Sequence, residues 1–119
     1  MEPIQKDKVQ QQLDSYVDQE IYLHLETTNG SYAVLRGERT ISVGAFIRNV
    51  PLRFERAVIA GHGPYRVGLK MQHGWVYAEG LTDWEPERQE GLLLAGHDEE
   101  GRLAVAFQVS RTPFGKEEE

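Results

Sequence analysis

Between Gly63 and Leu81 the chain reads GPYRVGLKMQHGWVYAEGL, and this stretch constrains the fold more than any other. Tyr65, Val67, Leu69 and Met71 alternate with Arg66, Gly68 and Lys70. Beyond Gln72-His73-Gly74, Trp75, Tyr77, Glu79 and Leu81 alternate with Val76, Ala78 and Gly80. Successive side chains of a strand point to opposite faces, so this period-two pattern around a short glycine-bearing turn predicts a β-hairpin. A three-residue loop with Gly74 at positive φ pairs Leu69 with Tyr77 and Met71 with Trp75, which gathers the large apolar side chains on one buried face. A two-residue loop would reverse that parity and set Trp75 and Tyr77 beside Arg66 and Lys70. Burial favours the first register, which is the one expected.

The rest of the chain extends the same theme. Ile4, Val9, Leu13, Tyr16 and Val17 recur at helical spacing, and Pro3 suits a first helical turn, so residues 1–19 are expected to form one amphipathic helix. From Glu20 the pattern turns to strands. Ile21, Leu23 and Leu25 oppose Tyr22, His24 and Glu26, and Asn29-Gly30 predicts a tight turn that pairs Leu25 with Val34 and Glu26 with Ala33. Thr40 to Asn49 reads as a strand bent at Gly44 and ended by Pro51, followed by alternation through Phe54, Val58 and Ala60. Thr82 to Gly91 is acidic and reads as the one long loop. Leu92–Ala95 and Arg102–Ser110 complete the strands, and residues 111–119 form a tail. About eight short strands with no alternating helices exclude a parallel α/β sheet. The expected fold is mainly β: a strongly curved antiparallel sheet or small β-barrel over residues 20–110, with one N-terminal α-helix, in a single domain spanning 1–119.

Composition narrows function by exclusion. The 119 residues contain no cysteine, which rules out disulfides, thiolate metal sites and a cysteine nucleophile. A net charge of −6 argues against nucleic acid or an anionic membrane as partner. The polar start MEPIQKDKVQQQ lacks the apolar run of a signal peptide, so a cytoplasmic protein is expected.

Four constellations carry potential chemistry. His24 and Glu26 share one strand face, where two ligands fall short of a zinc site and a His–Glu hydrogen bond is the plainer reading. His62 and His97 both lie in glycine-rich turns; should those turns meet, His62, His97 and Asp98 would form a facial metal-ligand set, whereas ordinary turn chemistry accounts for each alone. Glu79 falls on the face of Tyr65, Trp75 and Tyr77. A carboxylate among aromatics suits a ligand contact or a general acid, and it equally suits a rim position beside Arg66 or Lys70. No phosphate-binding loop, nucleophile elbow or H-E-x-x-H motif is present. The expectation is therefore no cofactor and no stoichiometric transition metal, with Tyr65, Trp75, Tyr77 and Glu79 as the candidate ligand-binding residues.

Taken together, HLETTNG (24–30), GPYRVGLK (63–70), WVYAEGL (75–81) and LLLAGHD (92–98) resemble the YojF-like family of small proteins of bacilli, in order and across nearly the whole chain. The resemblance transfers no catalytic or binding residue. What it implies is context: family members are encoded beside an LmbE-like zinc deacetylase of the kind that acts in bacillithiol synthesis. Such deacetylases carry the metal motif A-H-P-D-D, from which Gly96-His97-Asp98-Glu99 departs at the alanine and the proline. Two classes of function follow. The first is a non-catalytic binding or accessory protein, associated with such a deacetylase or forming a homodimer that covers its sheet edges. The second is a small metal-dependent or acid–base enzyme using His62, His97 and Glu79.

Overall fold

The computed structural model describes residues 1–27 and 44–115. Within them run β1 (Glu2–Pro3), α1 (Lys6–Asp14), β2 (Ile21–Thr27), β3 (Ala45–Leu52), β4 (Arg56–Gly61), β5 (Tyr65–Lys70), β6 (Trp75–Leu81), β7 (Asp83–Trp84), β8 (Leu92–His97) and β9 (Leu103–Ser110). All pairings are antiparallel. The strands form two sheets, one of six strands in the order β1-β7-β8-β9-β2-β3 and one of three in the order β4-β5-β6. The expected antiparallel, mainly β character holds. The expected barrel or single curved sheet does not: among the described residues the strands divide between two sheets and no barrel closes.

The division has a physical cause at the end of β6. Opposite Arg66 the register shifts, so that Val67 faces Ala78 while Tyr65 faces Leu81. Glu79 and Gly80 take up the extra residue, with Gly80 at φ +77°. Such a bulge bends its strand, and with only Thr82 between them β6 gives way to β7 of the other sheet. β8 crosses so close to this corner that a Cβ on Gly96 would lie 2.1 Å from the Gly80 carbonyl oxygen. Only glycine fits there. The bulge also returns Leu81 to the interior, since Ala78 and Leu81, three residues apart, are both buried.

One hydrophobic cluster joins Ile21, Leu23 and Leu25 of β2, Phe107 and Val109 of β9, Val67 and Leu69 of β5, and Val9 and Leu13 of α1. The helix thus buries the apolar stripe that its spacing predicts, but it is shorter than expected. Pro3 lies in β1, opposite Asp83, and not in a helical turn. An edge strand tolerates the missing N–H. Pro51 likewise sits inside β3, opposite Tyr22, and does not end the strand, because β3 too is outermost among the described strands of its sheet. β3 bends at Asn49, at φ +52° and within a register shift opposite His24; residues 40–43 before the expected bend at Gly44 lie outside the described residues. In β4 the buried side chains are Ala57 and Ile59, so Val58 and Ala60 face outward. The long loop expected after Leu81 contains β7, with Trp84 2% exposed. The Asn29-Gly30 turn and the partners Ala33 and Val34 lie outside the described residues. Among the described residues Leu25 pairs with Ile47 and Phe107, and Glu26 with Phe46 and Ala106.

Candidate functional site

The β5–β6 hairpin adopts the register set by a two-residue turn. Lys70 pairs with Trp75, Leu69 with Val76 and Gly68 with Tyr77, and the Met71 N–H closes on the Gly74 carbonyl at 2.8 Å. The expected Leu69–Tyr77 and Met71–Trp75 pairs therefore do not form, and Gly74 is not among the glycines at positive φ. Val67, Leu69 and Ala78 are buried, while Arg66, Trp75 and Tyr77 face out. Burial is concentrated by smaller side chains than the alternation of large ones suggested, and the bulge at Gly80 supplies the missing apolar residue, Leu81.

The outer face this creates is built in layers. Gly68 forms its floor: a Cβ there would meet the Tyr77 ring at 2.9 Å and the Trp75 ring at 3.2 Å. Both rings lean over the glycine and stack on each other, with centroids 5.4 Å apart and planes 5° from parallel. The Arg56 guanidinium lies 5.4 Å from the Trp75 centroid and that of Arg66 lies 4.7 Å from the Tyr77 centroid. The rings occupy each other's inner faces, so the guanidinium groups take the outer ones, an arrangement stabilised by the ring quadrupoles. Arg66 donates to Glu79 at 2.9 Å, and this partner holds the guanidinium above its ordinary pKa. Lys70 donates to Glu55 at 3.2 Å. Arg56 has no carboxylate partner among the described residues. Even so packed, Trp75 is 37% and Tyr77 46% exposed, and Val58 beside them is 37% exposed. Trp75, Tyr77 and Glu79 thus share this face. Tyr65 does not; it is half-buried against the core on the other side.

The two histidine-bearing segments meet only in part: His62 lies in the connection between β4 and β5, whereas His97 is the last residue of β8 and not in a turn. A hollow of about 760 Å³ at the sheet corner has Pro64, Glu79, His97, Asp98 and Val105 in its wall. His62 is exposed and absent from that wall. Asp98 caps its own turn, accepting from the N–H groups of Glu100 and Arg102 at 2.9 Å each and from the Arg102 guanidinium at 3.2 Å. These donors, the Arg102 N–H foremost, hold its carboxyl below the usual range. His97 pairs with a residue the sequence did not single out: its Nδ1 lies 3.1 Å from Asp83 Oδ1, which also accepts from the Thr82 hydroxyl at 2.6 Å. That fixes Nδ1–H toward Asp83 and leaves Nε2 as an acceptor without a partner among the described residues. No group of three metal-ligating side chains occurs among the described residues.

His24 and Glu26 make the hydrogen bond their spacing suggests, Nε2 to Oε1 at 3.0 Å. The histidine is 6% exposed, with its ring 5.5 Å from that of Phe46 and 5.1 Å from that of Phe114. The Phe114 segment is anchored by both side-chain groups of Asn49, at 2.8 and 2.7 Å. Arg56 and Asp83 were missed for different reasons. Arg56 reaches Trp75 only from two strands away in the sheet, and Asp83 meets His97 only because β7 pairs with β8. The alternative hairpin parity was the one signal that could have placed Trp75 and Tyr77 correctly.

Fold and surface together define a small, mainly β protein of two antiparallel sheets sharing one core, with an aromatic–arginine face left open on the smaller sheet. The chain belongs to the family described as Protein of unknown function (DUF1806), whose model matches residues 3–114. It is similar to the uncharacterized protein YojF of Bacillus subtilis (strain 168), at 47% identity over 114 residues, 96% of this chain and 98% of that one. The crystal structure of Bacillus subtilis YojF superposes with a TM-score of 0.76 at 44% identity, covering 94% of both chains. No helix among the described residues is long and apolar enough to cross a membrane.

Proposed function

We propose that this is a cytoplasmic, non-catalytic accessory protein that docks a protein partner on the outer face of β4–β6. The observation that supports the reading is the exposed Trp75–Tyr77 stack held between Arg56 and Arg66. Tryptophan, tyrosine and arginine are the residues that dominate interface energetics. The stack is held in place before any partner arrives, so little side-chain freedom is lost on docking. A protein surface suits this face better than a planar ring, because the ring faces are already occupied and only their edges point outward. The unpaired Arg56 favours a carboxylate-bearing partner, and a second copy would set arginine against arginine. The partner to test first is the LmbE-like deacetylase that the family resemblance puts forward.

The test is co-elution of the two purified proteins on size exclusion at micromolar concentration, repeated with Trp75→Ala/Tyr77→Ala. A stable complex would bury about 1,200–2,000 Å². Complex formation lost in the double variant, with the folded state intact, supports the reading. Separate elution with unchanged deacetylase turnover removes the proposed partner. A homodimer broken by the same double variant would make a second copy the occupant. The Asp83–His97 pair favours a second reading, an acid–base enzyme with His97 Nε2 as proton acceptor. Hydrolysis of any member of an ester and amide panel, abolished in His97→Asn, would promote it over docking.

A further inference from the structure

A second hollow, of about 440 Å³, lies between α1 with its preceding residues and the β7 segment, on a part of the molecule unrelated to the docking face. Its wall is polar. Gln5, Gln11 and Gln12 present three carboxamides, Lys8 one ammonium, and Glu2 and Glu87 two carboxylates. Among the described residues none of these six side chains has a hydrogen-bond or ion-pair partner. The hollow at the sheet corner differs, since Glu79, His97 and Asp98 there are each engaged. The remaining wall is Pro86 and Trp84, and the Trp84 indole N–H is buried without an acceptor although the residue is only 2% exposed. A buried donor left unpaired is costly, so an oxygen that reaches it is bound with advantage.

We infer that this hollow binds a neutral, polyhydroxylated small molecule, a sugar, through the Gln5, Gln11 and Gln12 carboxamides, with Trp84 in its wall. Charge decides against the alternatives. An anion would face Glu2 and Glu87, and a cation would face Lys8. Carboxamides carry a donor and an acceptor on one planar group, which matches a hydroxyl that both gives and receives a hydrogen bond. A peptide would need apolar side-chain pockets, which this wall, apolar only at Trp84 and Pro86, does not provide. The volume falls within the range of small-molecule sites.

The chain holds two tryptophans, Trp84 in the wall of this hollow and Trp75 on the docking face, so two indole ¹H–¹⁵N resonances separate the two. Titrating the labelled full chain with glucose and with N-acetylglucosamine at millimolar concentration should move the Trp84 resonance saturably and leave that of Trp75 in place. Gln11→Ala/Gln12→Ala, two changes outside the buried core, should weaken the response about five-fold or more. An unmoved Trp84 resonance overturns the inference, as does an equal response in the double variant. A larger shift with inorganic phosphate, or with N-acetylglycinamide, overturns the sugar assignment in favour of an anion or a peptide. None of these outcomes depends on whether Trp75 and Tyr77 dock a protein.

Discussion

The β7 strand and the β5–β6 hairpin each carry one of the two tryptophans, and their surroundings could hardly differ more. Trp84 belongs to the shared hydrophobic cluster of both sheets and is 2% exposed. Trp75 lies on an outer sheet face, stacked on Tyr77 and covered by Arg56, and is 37% exposed. The first ring stabilises by leaving water. The second is held by neighbours that are themselves in water, so its removal spares the core. In this protein a large aromatic side chain is therefore no guide by itself to burial, and the exposed pair is the better candidate for recognition.

The largest expected effect tests the buried side of that contrast. Trp84→Ala should lower unfolding free energy by about 3–5 kcal/mol, as truncation of core aromatics does, read from urea denaturation. A loss below about 1 kcal/mol would mean that β7 is peripheral to the core. Next comes the corner that separates the sheets. Gly96→Ala places a methyl against the Gly80 carbonyl, a backbone atom with little room to retreat, and should cost about 1–3 kcal/mol. Unchanged stability would show that β8 and the β6 bulge do not meet so closely.

Trp75→Ala should be milder, about 1 kcal/mol or less, since it forfeits a stacked pair and one cation–π contact on an exposed face. A loss approaching that of Trp84→Ala would erase the distinction between the two regions. The smallest effect concerns Asp98, half-buried at the β8–β9 turn. Its folded pKa is depressed, so its contribution is present above the unfolded carboxylate value near ~4 and is lost as pH falls through the lower folded value. Asp98→Asn keeps an oxygen for the turn's N–H groups and should flatten the stability profile slightly below about pH 4, leaving its neutral end nearly unchanged. An identical acid profile in the variant would assign no linkage to this turn.

Much of the molecule was determined by local pattern. The helical stripe of Val9 and Leu13, the inward face of β2, the β5–β6 hairpin itself and the His24–Glu26 hydrogen bond all follow from spacing, because side chains three or four apart on a helix, or two apart on a strand, share a face whatever the rest of the chain does. Membership of the family was legible too, in four ordered blocks. The tertiary structure decided what spacing leaves open. Turn length sets hairpin parity, and a change of one residue in a loop exchanges every inward and outward side chain; Trp75 and Tyr77 went outward on that account. The bulge at Gly80 then restored Leu81 to the core and turned the chain into a second sheet, which replaced the expected barrel. The pairings Asp83–His97 and Arg56–Trp75 join residues on different strands, and the hollow of Trp84 joins α1 to β7. Such contacts depend on which strands become neighbours, and that is settled by the packing of the whole core.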